Sequence, residues 1–496
     1  MAESADAGDS KSLGPWVHVG SNPTSGTKSK KARNSISKIP KEQTMLWRRA
    51  VKLKKQLFIV IIPVLIVVVG VFLWLTYFET QAPEIIVLPR PGEFLTAANT
   101  LTITFKEKGR GLEEVGVVLE QSGFRQKAYQ ETYPRKGQFK QPFKEVKLDI
   151  YPRKLGLHDG KAVLKIYARD HSLWHWLKGN YRELAYNVTI DATLPTIEIL
   201  SRSHNLRQGG AGLVIYRASE ELVNYGIKED GLFFPGYKWQ GLYLNLFSFP
   251  CDAPQNIGPR LIYLDKAGNK GEGGFYYHLI PKNFKRDNIE ITDTFLRAKM
   301  PEFWNIYPEL KEKYLETFLK VNRDLRRLNH EEIKRLCQTS QPFPLWQGAF
   351  LRIKGAPSAG FGDRRVYYYK GKEIDRQAHL GIDIASLAHF PIPAANDGIV
   401  VYKGYLGIYG NVIIIDHGLG LFSLYGHLSS FQAEKGQKVC KGDIIGYTGT
   451  TGLAGGDHLH FSILIHGVFV DPKEWWDPHW MKDNIYNKLS RLGLMQ

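Results

Sequence analysis

The residues of this chain that are most able to do chemistry are histidines placed close to one another or to an aspartate. His458 and His460 are two apart in the segment GDHLHF, which follows a glycine-rich run that begins at Gly446. If this segment is a strand, both imidazoles lie on one side of the sheet and Leu459 lies on the other, because strand side chains alternate. The spacing therefore predicts either two nitrogen ligands for a metal or two acid/base groups in one pocket.

A histidine and a carboxylate occur upstream in the segment HLGID, where His379 and Asp383 are four apart. Helix and strand both place residues four apart on one face, but the glycine and the two isoleucines of this segment favour an extended form. A further histidine, His427, lies between the two clusters in YGHLSS. Two imidazoles and one carboxylate that leave a fourth position open form a donor set suited to a catalytic zinc.

Five segments carry a family resemblance: SAGFGDR, HLGID, DHGLGLFSLYGHLS, KGDIIGYTGTTG and GDHLHF. Together they resemble the lysostaphin/LytM-type zinc endopeptidases, which cut the peptide cross-bridges of peptidoglycan. The similar region runs from about residue 350 to about residue 480. The resemblance implies an antiparallel β catalytic domain, the duplicated hybrid motif fold, that holds one Zn²⁺ per chain.

The resemblance also implies a role for each candidate residue. His379, Asp383 and His460 match the family's zinc ligands, and His427 and His458 match its two catalytic histidines that do not bind the metal. A water bound to zinc is a nucleophile near neutral pH, and the metal also polarises the amide carbonyl. His427 and His458 are then the groups available to take the proton of the water and to stabilise the oxyanion. The sequence leaves open which histidine does which.

The remaining histidines of this region are interpreted as structural. His417 and His466 each precede a glycine after a β-rich run, which predicts polar tips of hairpin turns. His389 lies in a loop before Pro391. The glycines between Gly446 and Gly456 could suggest a phosphate-binding loop, but no GK[ST] ending follows them. They are expected to shape tight turns at the rim of a peptide-binding groove.

An uncharged apolar run from Leu57 to Phe78 predicts a single membrane-spanning helix, because its length matches the hydrocarbon core of a bilayer. It is too long for the apolar part of a signal peptide. Lys and Arg dominate the residues before it, so the positive-inside rule places the N-terminus in the cytoplasm and everything after Glu79 outside. We therefore expect a single-pass protein of a bacterial inner membrane, with its catalytic domain in the periplasm or on the outer face.

The formal net charge of +17 indicates which classes of binding partner to expect. Part of this charge lies in residues 1–56, a basic tail with few large apolar residues that is predicted to be disordered in the cytoplasm. The charge outside the membrane suits an anionic envelope polymer. The family resemblance implies that peptidoglycan peptides are the partner. Membrane lipid is expected to contact the apolar helix. Nucleic acid is not expected as a partner, because it is absent where the catalytic domain lies.

Residues 79–193 and 194–282 are predicted to form two immunoglobulin-like β-sandwiches. The segment APEIIVL is echoed by LPTIEIL, and LKIYARD is echoed by LIYLDKAGN. The spacing of about 100 residues and the alternating apolar strands between turn signals favour two tandem modules. Their use is left open between a spacer and a docking site for wall polymer or an envelope protein partner. An insertion in the first module, between His171 and Gly179, is unassigned.

Residues 283–345 show a helical pattern and are predicted to form a linker. Asn329 followed by Glu332 predicts a capped start for a second short helix, from Glu331 to Cys337. The segment could also cover the active groove as a latency device. Its apolar side chains recur at intervals of three or four and predict one buried stripe: Leu310, Tyr314, Phe318, Val321, Leu325 and Leu328.

Three cysteines are too few for a disulfide framework. Cys440 is expected to be a small core residue. Cys251 and Cys337 could form one disulfide outside the cytoplasm.

The sequence therefore predicts a mainly β, multidomain protein. In chain order we expect the tail 1–56, a transmembrane helix 57–78, the two β-sandwiches, the helical linker, a LytM-like zinc endopeptidase domain 346–480 and a C-terminal tail 481–496. The expected function is hydrolysis of peptidoglycan cross-links by metal-activated water during cell-wall remodelling. Two other functions stay open, which are a non-catalytic activator of another wall hydrolase and a structural or adhesive protein of the envelope.

Overall fold

The computed structural model describes residues 41–77, 79–135, 141–254 and 258–495. Strands predominate after residue 80, so the prediction of a mainly β chain is confirmed. Contacts divide the chain into two units, residues 1–79 and residues 80–496.

The first unit is represented by helix α1 (Lys41–Tyr77). This helix begins before the predicted span, so residues 41–56, which the sequence placed in the tail, are helical; residues 1–40 and Phe78 lie outside the described residues. Its segment Leu57–Trp74 has a mean hydropathy of 3.2, and none of it is buried. Among the described residues this is one helix that is long and apolar enough to cross a membrane.

The first β region of the second unit is built from two sheets that share one core. Alternation is clear in the third strand, where Leu101, Ile103 and Phe105 are buried and the residues between them are half-buried. The sheets have the strand orders β1-β3-β6 and β2-β8-β7-β4-β5. A single turn, α2 (Trp174–Leu177), occupies the unassigned insertion between the last two strands, and His175 and Trp176 within it have left-handed backbone conformations. The strands are β1 (Glu84–Leu88), β2 (Phe94–Leu95), β3 (Asn99–Lys106), β4 (Leu112–Gln121), β5 (Phe124–Thr132), β6 (Phe143–Ile150), β7 (Gly160–Asp170) and β8 (Tyr181–Ile190).

The second β region contains two four-stranded sheets and a parallel pair. The sheet orders are β14-β15-β11-β9 and β13-β12-β16-β17, and β10 pairs with β18. Paired sheets are present in both regions, and their immunoglobulin-like character stays a prediction. The strands are β9 (Ile197–Ile199), β10 (Asn205–Arg207), β11 (Ala211–Ala218), β12 (Leu222–Glu229), β13 (Leu232–Pro235), β14 (Tyr237–Trp239), β15 (Leu242–Ser248), β16 (Arg260–Asp265), β17 (Lys270–Gly273) and β18 (His278–Ile280).

The predicted linker contains a strand and three helices: β19 (Arg286–Glu290), α3 (Asp293–Lys299), α4 (Tyr314–Lys320) and α5 (Arg326–Leu336). A π-helical turn, Val321–Leu325, joins α4 to α5, so the prediction of a new helix at Glu331 is wrong. Asn329 does not cap a helix. It is buried within α5, and its Oδ1 accepts a hydrogen bond from the backbone N–H of Ile408 at 2.9 Å. The predicted apolar stripe is interrupted at Leu328, which is exposed.

The C-terminal region is dominated by a ten-stranded sheet. Its main path is β20-β23-β30-β27-β26-β25-β28, with β24, β29 and β31 paired beside it. A smaller sheet, β19-β21-β22, joins the linker strand to this region. The strands are β20 (Ala356–Ala359), β21 (Arg364–Tyr369), β22 (Lys372–Ala378), β23 (Ile382–Ala385), β24 (Pro391–Pro393), β25 (Gly398–Tyr405), β26 (Asn411–Gly418), β27 (Leu421–Phe431), β28 (Lys438–Val439), β29 (Ile444–Thr448), β30 (His458–Ile465) and β31 (Val468–Val470).

The last residues form three short helices, α6 (Pro472–Trp476), α7 (Pro478–Met481) and α8 (Asn487–Ser490). Within residues 481–496, which the sequence analysis assigned to a C-terminal tail, residues 482–490 are helical. Ile485 and Leu489 are fully buried in a core that is continuous with the second β region, and Lys488 Nζ donates to the backbone carbonyl of Leu213 at 3.0 Å. The last residues therefore connect the C-terminal region to the β region before it.

The cysteines and one histidine differ from their predicted environments. All three cysteines are unpaired, so the suggested disulfide between Cys251 and Cys337 is wrong, and Cys440 is exposed instead of lying in the core. His417 is buried in β26 and is not a polar hairpin tip. His466 does lie in the turn before β31, but it is mostly buried and stacks on the ring of Tyr237 at 5.7 Å.

Candidate metal centre

Two neighbouring strands and the end of a third bring His379, Asp383 and His460 together. In the antiparallel pair β23 and β30, Asp383 lies directly opposite His460. His379 follows β22, and its backbone N–H donates to the carbonyl of Asp363 at 2.9 Å. His379 Nε2 and His460 Nδ1 lie 2.9 and 2.8 Å from Asp383 Oδ1, and 3.1 Å from each other. All three residues are buried, and they form a group that could hold a metal ion.

In His379 and His460, the ring nitrogen that points away from Asp383 makes a hydrogen bond, and this bond determines which nitrogen carries the proton. His379 Nδ1 donates to the carbonyl of Gly360 at 2.9 Å. Ser462 Oγ donates to the carbonyl of Leu380, so this oxygen accepts from His460 Nε2 at 3.0 Å. In the neutral rings, the nitrogens that face Asp383 therefore carry lone pairs.

This donor set fits zinc. Tetrahedral zinc with nitrogen and oxygen ligands at about 2.0–2.1 Å places its donor atoms about 3.3 Å apart. The three donor atoms here are separated by distances close to this value. Two lone pairs and a carboxylate that converge in a buried space repel one another unless a cation lies between them. Gly381 permits this close approach, because a Cβ at this position would lie 2.5 Å from the ring of His460.

An arginine that the sequence analysis did not single out holds the other oxygen of the carboxylate. Arg365 lies on β21, and its Nη2 donates to Asp383 Oδ2 at 3.0 Å. One oxygen of the carboxyl group faces the imidazoles, and the other accepts from Arg365. Burial acts to lower the pKa of Arg365, but the Asp383 carboxylate outweighs it and raises this pKa, so the guanidinium group stays charged beside Asp383. The only sequence signal for Arg365 was its position directly after the SAGFGDR segment.

His427 and His458 lie beside this group with their ring centroids 4.8 Å apart. His427 Nδ1 donates to the carbonyl of Thr451, and His458 Nδ1 donates to the carbonyl of Gly456, each at 2.8 Å. The Nε2 of His427 is therefore free to accept a proton, whereas His458 Nε2 lies 3.6 Å from Asp383 Oδ1. Burial acts to lower the pKa of His458, but the Asp383 carboxylate outweighs it and raises this pKa. Burial lowers the pKa of His427 well below its ordinary value, so this ring is neutral.

His427 has a left-handed backbone conformation with φ of 62° in the middle of β27. A residue with a side chain adopts this conformation at a cost of about 1–3 kcal/mol, and such strain is concentrated at functional sites. The neighbouring Gly426 pairs with His460 across the sheet, so the unusual backbone lies beside the metal-binding group. No motif in the sequence indicated this backbone conformation.

One cavity of about 330 Å³ contains all five predicted site residues. The segment that was predicted to be a linker forms one wall of this cavity, through residues that include Ile289, Phe295 and Phe318. A second wall contains Tyr409, whose ring lies 5.3 Å from that of His460.

The linker is fastened to the glycine-rich loop after β29. Glu302 accepts a hydrogen bond from the backbone N–H of Gly452 at 2.7 Å and another from the hydroxyl of Tyr405 at 3.1 Å. Lys299 Nζ donates to the carbonyl of Thr450. The linker therefore shapes the site, while the group of converging metal donors contains none of its residues.

A second group of three possible metal donors lies in the β regions and consists of Asp191, Glu220 and Asp265. It contains only carboxylates, whereas zinc sites are built mainly from nitrogen and sulfur donors. Among the described residues, the His379–Asp383–His460 group is thus the one suited to zinc.

The part of the chain that carries these residues is similar to known proteins. Residues 377–472 match the model of the family described as Peptidase family M23, which confirms the resemblance inferred from the sequence motifs. The DD-carboxypeptidase/endopeptidase Mpg of Neisseria meningitidis is 43% identical over 94 residues, which are 19% of this chain and 22% of that protein. The peptidoglycan DD-endopeptidase ShyA of Vibrio cholerae is 38% identical over 125 residues, which are 24% of this chain and 28% of that protein.

Among solved structures, a putative peptidase M23 from Pseudomonas aeruginosa is 21% identical, with a TM-score of 0.35. The match covers 56% of this chain and 96% of that one. The chain spans less than a third of the length of the two curated relatives described above.

Proposed function

We propose that this chain, whose residues 377–472 form a domain of peptidase family M23, is a membrane-anchored zinc endopeptidase that hydrolyses peptide cross-links of peptidoglycan. One observation carries the proposal: three donor atoms of His379, Asp383 and His460 converge within 3.1 Å, beside the neighbouring rings of His427 and His458. The substrate is inferred from curated relatives of this domain that are named peptidoglycan DD-endopeptidases.

His379, Asp383 and His460 would hold one zinc ion per chain. When bound, zinc supplies an activated water nucleophile and polarises the scissile carbonyl group. Gly360 and Ser462 keep the ligating nitrogens of the two histidines free of protons, because they occupy the opposite nitrogen of each ring. The two imidazoles are therefore oriented to bind the metal before the substrate binds.

His427 and His458 move the protons of the reaction. The neutral Nε2 of one histidine accepts the proton that the attacking water loses as the new C–O bond forms. A protonated histidine then donates to the oxyanion or to the amine nitrogen that leaves when the C–N bond breaks. The contacts of their Nδ1 atoms with Thr451 and Gly456 fix both rings for these transfers.

The remaining regions would position the metal centre near its substrate. The apolar helix would contact membrane lipid and anchor the chain in a bacterial inner membrane, with the N-terminus in the cytoplasm and the catalytic domain in the periplasm or on the outer face. The two β regions would act as a spacer toward the wall or as a docking site for an envelope protein. The complete donor set favours catalysis over the role of a non-catalytic activator.

Metal analysis and a zymogram on purified peptidoglycan test this proposal together. The dialysed full-length protein should retain one equivalent of zinc and clear the peptidoglycan. The His460→Ala variant should retain well below one equivalent of zinc and should not clear the peptidoglycan. Full zinc in His460→Ala would remove this residue from the ligand set. Unchanged clearing by His460→Ala would show that the hydrolysis does not depend on this centre.

A further inference from the structure

A second, larger cavity of about 890 Å³ adjoins the metal-binding cavity, and we call it the basic cavity. Arg326 and Arg365 line both cavities, so the two cavities adjoin at these side chains. The walls of the basic cavity come from the β21–β22 hairpin, from the helix that contains Arg326 and from the loop at Cys251 in the second β region. A volume of this size accommodates several residues of a peptide.

The lining of the basic cavity is strongly cationic. Eight of its side chains are Lys or Arg and two are carboxylates. Four of the cations are neutralised by ion pairs with neighbouring carboxylates, which leaves four without such a pair among the described residues: Arg286, Arg326, Lys334 and Arg364. Of the two lining carboxylates, Glu331 pairs with Arg327, and Asp252 has no ion pair among the described residues. The cavity therefore keeps an excess of positive charge.

Two of the free guanidinium groups are held in place by neutral groups. Arg326 Nε and Nη2 donate to the backbone and side-chain oxygens of Asn322 at 3.1 and 2.6 Å. Asn322 is fully buried and is fixed in turn by a 2.7 Å hydrogen bond to Asp375. Arg364 Nη2 donates to the carbonyl of Cys251 at 2.9 Å. Each arginine keeps further N–H groups for a ligand, and little side-chain freedom remains to be lost on binding.

We propose that the basic cavity binds carboxylate groups of the substrate, so that the enzyme selects cross-links flanked by acidic residues. This inference rests on the proposed function, because it assumes that the peptide cut at the metal centre extends past Arg326 and Arg365. Fixed guanidinium groups pair well with carboxylates, and such charge-assisted hydrogen bonds are stronger than neutral ones. Arg326 and Arg364 are the specificity-determining residues of this subsite, and Arg286 and Lys334 add charge at its exposed margin.

Two synthetic cross-linked peptides of one sequence test this selection. One carries free carboxylates, and in the other every carboxylate is a carboxamide. With the zinc-loaded full-length protein, kcat/KM should be about 10-fold to 100-fold higher for the acidic peptide, which is the range expected for hydrogen bonds to a charged group. In Arg326→Gln, the ratio of the two kcat/KM values should fall toward one. Arg286→Gln, on the exposed strand β19, should lower the ratio independently.

Arg335→Gln is the matched control, because Arg335 lies on the same helix as Arg326 but pairs with Glu332 at 2.6 Å outside the cavity. It should keep the ratio of the wild type. A wild-type ratio near one, or an equal fall in Arg335→Gln, would overturn the proposal. Competition by inorganic phosphate that depends on Arg326, together with a ratio near one, would identify a site for small anions and would also overturn it.

Binding measurements separate a failure of this inference from a failure of the proposed function. Titration calorimetry of the same two peptides on zinc-loaded His427→Ala records affinity without turnover. In one outcome the wild type cuts neither peptide, but His427→Ala binds the acidic peptide more tightly than the amidated one, and adding Arg326→Gln removes this difference in affinity. That outcome would support the carboxylate-binding subsite and contradict the proposed hydrolysis. Equal affinities for the two peptides would overturn the subsite.

Discussion

The number of ring nitrogens left free separates the site histidines from a structural one. In His417 both nitrogens are occupied, Nδ1 by the carbonyl of Asp397 at 2.6 Å and Nε2 by Ser423 Oγ at 2.7 Å. In His379 and His460 one nitrogen is held from outside and the other faces Asp383. Motif and spacing singled out the five residues that line one cavity, but they could not show these contacts, which come from residues distant in the chain. Arg365 was missed for the same reason.

His427→Ala and His458→Ala should each leave zinc nearly stoichiometric and reduce turnover strongly. Loss of a general acid/base group typically costs about 100-fold to 10,000-fold, and loss of an oxyanion donor about 100-fold to 1,000-fold. Because both histidines serve one transition state, the double variant should lose less than the product of the single losses. Metal analysis and a muropeptide assay on the same samples check this. Normal turnover in His458→Ala with zinc intact would refute its catalytic role, and loss of zinc would make it a ligand.

Arg365→Gln should weaken zinc binding about 10-fold to 100-fold, which is the usual effect of losing a group that orients a metal ligand. Arg365 acts through Asp383, so this is a positioning effect, and competition with a chromogenic chelator measures it directly. Arg376→Gln is the control, because Arg376 lies on the same hairpin and pairs with the exposed Glu373 at 2.6 Å. Equal zinc affinities in Arg365→Gln and Arg376→Gln would contradict the assigned role.

At the scale of elements, local patterns predicted the strands that carry the ligands better than the helices that enclose them. The period of two in GDHLHF appears in β30, where His458 and His460 share a face. The Asn329–Glu332 signal for a helix start was wrong. Asn329 lies inside the continuous helix α5, and its side chain accepts a hydrogen bond from the backbone N–H of Ile408 in a distant loop. A polar residue that satisfies a distant backbone group cannot be told from a cap by its neighbours in the sequence.

Glu302→Gln should loosen the glycine-rich loop that borders the metal-binding cavity. The carboxylate of Glu302 accepts from the N–H of Gly452, and a hydrogen bond to a charged group contributes about 1.5–3 kcal/mol. Amide hydrogen exchange at Gly452 and its neighbours should therefore become faster in this variant, with the rest of the sheet unchanged. Glu309→Gln, an exposed carboxylate in the same segment, serves as the control. Unchanged exchange in Glu302→Gln would show that the linker is not held to the loop by this contact.

At the scale of the whole molecule, the order of regions could be predicted from composition and periodicity, but their packing could not. The run of apolar residues marked the helix, and the repeated strand motifs marked the β regions. The packing of the C-terminal residues includes the hydrogen bond from Lys488 Nζ to the carbonyl of Leu213, which lies more than two hundred residues earlier in the chain. Such long-range contacts leave no local period, so the segment after residue 480 resembled a tail.

The proposed topology predicts that protease added to spheroplasts cleaves the region after residue 80 and spares residues 1–56. The reason is the excess of Lys and Arg before the apolar helix, which favours a cytoplasmic N-terminus. Antibodies against each end of the chain, applied to membrane fractions, follow the two fragments. Lysed spheroplasts provide the control, because both ends should then be degraded. Protection of the C-terminal region in intact spheroplasts would reverse the topology.

Digestion of defined cross-linked muropeptides by the zinc-loaded full-length protein tests the central proposal most directly. The account predicts that one cross-linking peptide bond is cut, that the product masses add up to the substrate plus one water, and that chelation stops the reaction until zinc is restored. The products identify the bond at the same time. Muropeptides that remain intact in the presence of protein carrying a full equivalent of zinc would contradict the account.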